Sequence, residues 1–193
     1  MNCAYHFGIL ALLTVFPGCG NLLEQQPSES GNDVVAIDAS NFDEYRTRAE
    51  QGDAVAQSNL GLMHGKGLGV PKDDAEAVKW FRLAADQGLA DAQRLLGGSY
   101  RSGLSVPKDY AEAMKWFRLA ADQGDAASQC LIGSMHAYGY GVPQDYVEAY
   151  AWFSVAAASG PQGSFERDGL AKKFTADQLA QAKQRAAELI EKY

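Results

Sequence analysis

Between residues 53 and 160 the apolar positions alternate between two helical phases, separated by glycine and proline. Ala56, Leu60 and Met63 fall at i, i+4 and i+7, which predicts a helix with one apolar face over residues 54–64. Ala77, Trp80, Phe81 and Ala84 fall at i, i+3, i+4 and i+7 and predict a second helix over 74–87, with all four facing inward. Between the two, Gly65-Lys66-Gly67-Leu68-Gly69 offers positions that accept φ > 0 and ends the first helix. Pro71 cannot continue a helix, and Asp73 is placed to cap the next one.

The pattern then recurs. Trp80, Trp116 and Trp152 stand 36 residues apart, and Gly88, Gly124 and Gly160 keep that spacing, as do Pro71, Pro107 and Pro143. Three ungapped units follow, 53–88, 89–124 and 125–160, each a helix A, a turn and a helix B. Gly61 sits in mid-helix, where glycine costs about 1 kcal/mol against alanine. Its return as Gly97 and Gly133 points to a packing reason: helix B approaches closely there. The outer units of such a stack need caps. Phe42 to Gly52 aligns with helix B but carries Glu44 at the tryptophan position, so it reads as a polar N-terminal half-repeat. At the other end Phe165 to Lys172 reads as a short helix. Thr175-Ala176-Asp177-Gln178 has the form of a capping box and opens a last helix to about Glu191. The expectation is an all-α fold of eight or nine helices and no strand.

Leu60-Gly61, the glycine-rich turn, Gly69-Val70-Pro71, Ala77, Trp80, Ala84-Ala85 and Gly88 together resemble the Sel1-like repeat, a relative of the tetratricopeptide repeat. Leu96-Gly97 with Tyr100, and Gly141-Val142-Pro143 with Trp152, carry the same resemblance. His64 and His136 stand where the family has the tyrosine seen at Tyr100, and Ser105 replaces a turn glycine. The resemblance implies a right-handed α-solenoid over residues 37–193, its A helices lining a concave side that binds a protein partner. Positions needed for packing repeat, whereas positions used for recognition are free to vary. The helix-A slots that vary between units include Lys66, Asp91, Arg94, Arg101 and Tyr138, which become the candidate partner-binding residues.

Charge adds an exclusion. Seventeen Lys and Arg against 24 Asp and Glu leave a net charge of -7, unsuited to tracking a nucleic-acid backbone. A basic groove on such a chain would favour an acidic segment of the partner. Candidate chemistry is sparse. His64 and His136 occupy a helix-packing slot two repeats apart and read as semi-buried rings rather than a metal pair. Cys130 reads as a small apolar residue with a lone thiol. The residues nominate no catalytic group, no metal site and no cofactor, and an enzyme is not expected.

The first residues have a separate character. The apolar run from Ala4 to Phe16 suits the core of a signal peptide (1–18) and is too short to span a bilayer as a mature helix. Pro17-Gly18-Cys19-Gly20 resembles a bacterial lipobox, although Phe16 replaces the usual Leu and no Lys or Arg precedes the run. That resemblance implies lipidation at Cys19, a flexible tether over 19–36, and a periplasmic protein anchored to the outer membrane; a soluble periplasmic or secreted form is the alternative. A protein-interaction module at the cell envelope is the expected role. The alternative is an immunity protein that neutralises a periplasm-acting toxin such as a secreted lipase effector.

Overall fold

The computed structural model describes residues 39–193. The expected signal peptide, the tether and Cys19 lie outside the described residues. A 3-10 turn, Ala39–Asn41, leads into nine α-helices, and the described residues contain no strand. In chain order these are α1 (Phe42–Glu50), α2 (Ala54–Lys66), α3 (Asp74–Asp86), α4 (Ala90–Ser102) and α5 (Tyr110–Ala121). They continue with α6 (Ala126–Tyr138), α7 (Tyr146–Ser159), α8 (Ser164–Ala171) and α9 (Ala176–Ile190). The pairs α2/α3, α4/α5 and α6/α7 are the three repeat units. From α1 to α8 each helix packs on the next in the chain, and α9 packs back on α7.

Local chemistry sets the helix ends. Asp73, Asp109 and Asp145 each accept two backbone N–H groups of the first turn of helix B at 2.9–3.0 Å. These bonds hold the Asp73 carboxyl below the usual carboxylate range, against a smaller opposing effect of burial. Helix A runs two residues further than its apolar pattern predicts. Its left-handed cap falls at Gly67, Gly103 and Gly139 (φ 70–74°), so Gly65 lies inside the helix and is buried. At the C-terminal end the capping box of Thr175 and Gln178 forms as expected.

The repeated mid-helix glycine does have a packing reason. A Cβ on Gly61, Gly97 or Gly133 would come within 2.6–2.8 Å of the ring of Phe81, Phe117 or Phe153 respectively. Those phenylalanines are the buried aromatic rings of helix B. Phe117 and Phe153 have no exposed surface. The tryptophans, expected to face inward with them, differ. Trp80 and Trp116 are only half-buried and lie on the rim of the neighbouring core cluster. Trp152 is buried because the C-terminal cap covers it: Tyr193 packs on its ring at 5.1 Å, and its indole N–H donates to Glu148 at 3.2 Å.

A glutamine ladder joins the units. Gln57, Gln93 and Gln129 are buried on helix A and donate to the carbonyls of Ala49, Ala85 and Ala121 in the preceding unit at 3.1–3.4 Å. Gln87 and Gln123 then donate to Gln57 and Gln93 at 2.7 and 2.8 Å. In the third unit Ser159 replaces that donor, and the Gln129 side-chain oxygen is buried with no hydrogen-bond partner.

Candidate partner-binding site

The five candidate residues do not share one surface. Lys66 is exposed at the end of α2 in the first unit. Arg94 is only 4% exposed. Its guanidinium reaches Asp91 at 2.9 Å on the same helix and Asp125 at 3.4 Å at the start of the next unit. Asp125 in turn caps α6 through the Ser128 N–H at 2.8 Å. The assignment of Arg94 to partner contact is therefore corrected, and Asp91, with its side chain 32% exposed, is its ion-pair partner. They tie unit two to unit three, because at this slot adjacent A helices close over the side chain instead of presenting it to solvent. Ser58 and Cys130 at the equivalent slots are buried too. Cys130 has no exposed surface, so its slot is a packing position.

Arg101 and Tyr138 behave differently. Arg101 lies in the last turn of α4, half-buried, with Nε enclosed and without a hydrogen-bond partner. No carboxylate among the described residues pairs with it. Burial pushes its pKa down, and the phenols of Tyr110 and Tyr140 supply the nearby opposing influence. Tyr138 is the last residue of α6 and 37% exposed. Its ring stacks on Tyr140 at 5.5 Å, and Tyr140 stacks on Tyr110 at 4.8 Å with planes 5° apart. Burial, with Tyr140 and Tyr146 adding to it, pushes the Tyr138 phenol up.

Backbone geometry builds this stack. Gly141 has φ 72°, and a Cβ there would meet the Cβ and backbone of Tyr110 at 2.8–3.0 Å. The turn of unit three therefore lies directly on the start of α5 and carries Tyr140 over Tyr110. Lys108 sits over the outer part of Tyr110, 4.8 Å from the ring centre. Gln144 donates to the Ala137 carbonyl at 2.8 Å and to the Tyr146 hydroxyl at 2.9 Å, which fixes the exposed Tyr146 at the same edge. Helix-A reasoning missed Tyr110, Tyr140 and Tyr146 because they sit in turns and at the start of helix B. The signal was present: Tyr140 stands where units one and two have Leu68 and Leu104, and Tyr110 where unit one has Asp74.

The histidines take no part in this edge. His64 packs edge-on against Phe42 at 5.9 Å. His136 is half-buried with both ring nitrogens lacking a hydrogen-bond partner. Burial pushes its pKa below the ordinary imidazole value; Glu148 opposes this and Arg118 adds to it. Beside it a cleft of about 270 Å³ opens between α5, α7 and α9, lined by Arg118, Glu148, Trp152, Arg185 and Tyr193 among others. Arg185 is committed to Glu148 there, through contacts of 2.7 and 3.2 Å. Among the described residues no cluster of three or more His, Cys, Asp or Glu could hold a metal ion. No described helix is long and apolar enough to cross a membrane.

The stacked two-helix units, the glycine–phenylalanine contacts and the inter-unit glutamines define an α-helical repeat solenoid, a class that works by presenting surface to other molecules. The Sel1 repeat model matches residues 54–89, 90–125 and 126–161, so the chain belongs to the Sel1 repeat family, whose members generally mediate protein–protein interaction. Among solved structures it is similar to c5321, a protective antigen of uropathogenic Escherichia coli with an SLR fold. The two are 41% identical over 79% of this chain and 33% of that one, with TM-score 0.72. A Sel1 repeat protein from Oxalobacter formigenes is 33% identical over 78% of this chain and 64% of that one, with TM-score 0.66. Cysteine rich protein B of Helicobacter pylori shares the fold at 19% identity, covering 73% of this chain and 99% of that one, with TM-score 0.52. The chain thus spans about a third of the first structure's length and less than two-thirds of the second's. No curated protein matches it significantly.

Proposed function

We propose that this chain is a protein-binding module held at a bacterial cell envelope, engaging its partner through the exposed helix-A ends and turns of units two and three. One observation carries the reading: partly exposed side chains that unit one lacks gather at one edge around Arg101 and Tyr138. Family membership supports interaction as the general role. The envelope location rests on the apolar run and the lipobox-like Pro17-Gly18-Cys19-Gly20. In this reading Cys19 is the lipid attachment point and the solenoid stands away from the outer membrane.

The test is affinity capture of the full chain from envelopes of its native host, after crosslinking. A protein recovered in near-stoichiometric amount, and absent with an unrelated solenoid as bait, is the expected result. Recovery of no specific protein would defeat the reading. Capture of a toxin, with loss of its activity in the complex, would sharpen the role to immunity. Lipidation is checked separately: radiolabelled palmitate should enter the wild-type chain and not Cys19→Ser.

A further inference from the structure

The edge at units two and three combines an arginine and tyrosines that do not occur at the equivalent positions of unit one. Arg101 is the only residue in its slot with a long side chain, since Gly65 and Ala137 fill it in the other units. A half-buried guanidinium without a carboxylate is costly to hold, and its enclosed Nε has no partner. Around it stand Tyr110, Tyr138, Tyr140 and Tyr146, the last 48% exposed, with Lys108 over the Tyr110 ring. Stacked, partly exposed tyrosines beside an unpaired arginine form the residue set enriched at the energetic centres of protein interfaces.

Charge decides the occupant. The chain is acidic as a whole, so an acidic ligand is repelled by most of its surface. At this edge the carboxylates of Asp109 and Asp145 are taken up by backbone N–H groups as helix caps, while Arg101 has no carboxylate partner among the described residues. We propose that Arg101 and the tyrosines around it form a docking site for an acidic, aromatic-containing segment of a protein partner. A carboxylate of that segment pairs with the Arg101 guanidinium, and its apolar or aromatic side chains lie on Tyr138 and Tyr146. The inference rests on the protein-binding reading above and gives it a ligand chemistry and an address. A planar guanidinium can take a carboxylate through two parallel N–H···O bonds, and the exclusion of water by the flanking rings strengthens them.

A fluorescently labelled random copolymer of glutamate and tyrosine serves as the probe, with the full chain titrated into it and anisotropy recorded. The wild-type chain should bind, and binding should weaken as salt rises. Arg101→Gln should lower affinity at least tenfold, Arg101→Lys should fall between, and Tyr138→Ala should lower it several-fold. Helical circular dichroism and thermal midpoint establish that each variant is folded; Tyr138→Ala, altered at an exposed helix end, keeps the test valid should Arg101→Gln fail to fold. Equal binding by wild type and Arg101→Gln would overturn the proposal. Equal binding of polyglutamate and the copolymer would remove the aromatic half, and displacement by millimolar inorganic phosphate would show a phosphate site instead. Native-host capture separates the two levels of inference. A partner retained by both Arg101→Gln and Tyr138→Ala refutes this site and leaves the module reading intact, whereas no partner for the wild type refutes the module reading itself.

Discussion

The junction between units one and two and the junction between units two and three share a backbone but differ in how they treat the same cation. At the first, Arg82 of α3 donates to the hydroxyl of Tyr100 on α4 and lies over its ring at 5.5 Å. At the second, the equivalent Arg118 faces His136, whose shorter ring has no hydroxyl to offer. Arg118 makes no hydrogen bond or ion pair among the described residues, and both His136 nitrogens go without a partner. The second junction is held elsewhere, by the buried Arg94 between Asp91 and Asp125, where the first junction has Ser58 and Leu89. The apolar contacts, the aspartate caps and the glutamine bonds of the repeat are therefore transferable from unit to unit, while the charged pairs at the junctions are not. A polar side chain is stable only with a partner at the right distance, so one substitution in a neighbour re-routes the pairing.

Breaking the Arg94 bridge should have the largest effect. Arg94→Ala removes a buried cation and leaves Asp91 and Asp125 without it, which should cost about 3 kcal/mol in denaturant unfolding followed by circular dichroism. Ser58→Ala, the same slot at the first junction, should cost well under 1 kcal/mol. A small loss at Arg94 would mean that the second junction is no more dependent on a buried ion pair than the first. The next contrast is Arg82→Met against Arg118→Met. The first loses a charge-assisted hydrogen bond and a cation–ring contact and should cost about 1–2 kcal/mol. The second loses neither and should stay within about 0.5 kcal/mol.

How much of this could be read in the sequence follows the same division. The repeat frame, the helix pairs, the aspartate caps and the close approach at Gly61, Gly97 and Gly133 were legible because periodic packing leaves a periodic trace. The choice of Phe81 and Phe117 over Trp80 and Trp116 as the buried rings was not, since both lie on adjacent helical positions with the same spacing. Only the glycine contacts decide between them. Of the candidate site, Arg101 and Tyr138 were visible as breaks in the repeat. Arg94 was a break of the same kind, yet its burial depends on Asp125 31 residues later, a pairing no local pattern reveals. Lys66 stays apart in unit one, while Tyr110 and Tyr140 join the edge through a turn that folds across units.

Two smaller effects sharpen the comparison at the turns and rings. Ser105 adopts φ 55°, the only described non-glycine residue with positive φ, where the other two units have Gly69 and Gly141. Ser105→Gly relieves that left-handed strain and should raise stability by about 0.5–1 kcal/mol in the same unfolding assay. No gain would mean that the surrounding turn already accommodates the side chain.

The smallest effect concerns pH and separates the two junctions most directly. Burial, reinforced by Arg118, lowers the His136 pKa in the folded state. The unfolded chain therefore binds a proton that the folded chain resists, and stability rises with pH. The contribution is fully present above the unfolded imidazole value, about 6.5, and is lost as pH falls from there through the lowered folded pKa. His136→Tyr places at the second junction the ring that Tyr100 supplies at the first, giving Arg118 a hydroxyl to donate to. Unfolding midpoints measured from pH 8 to pH 5 should decline less for His136→Tyr than for wild type, and the variant should gain from a new Arg118–Tyr pair at neutral pH. If Arg118→Met abolishes that gain while leaving wild type unchanged, the pairing rule of the first junction has been transplanted to the second. Parallel declines in both proteins would instead assign the acid sensitivity to carboxylates such as Asp53 and Asp73, whose backbone bonds depress their pKa values and which lose stability on protonation at lower pH.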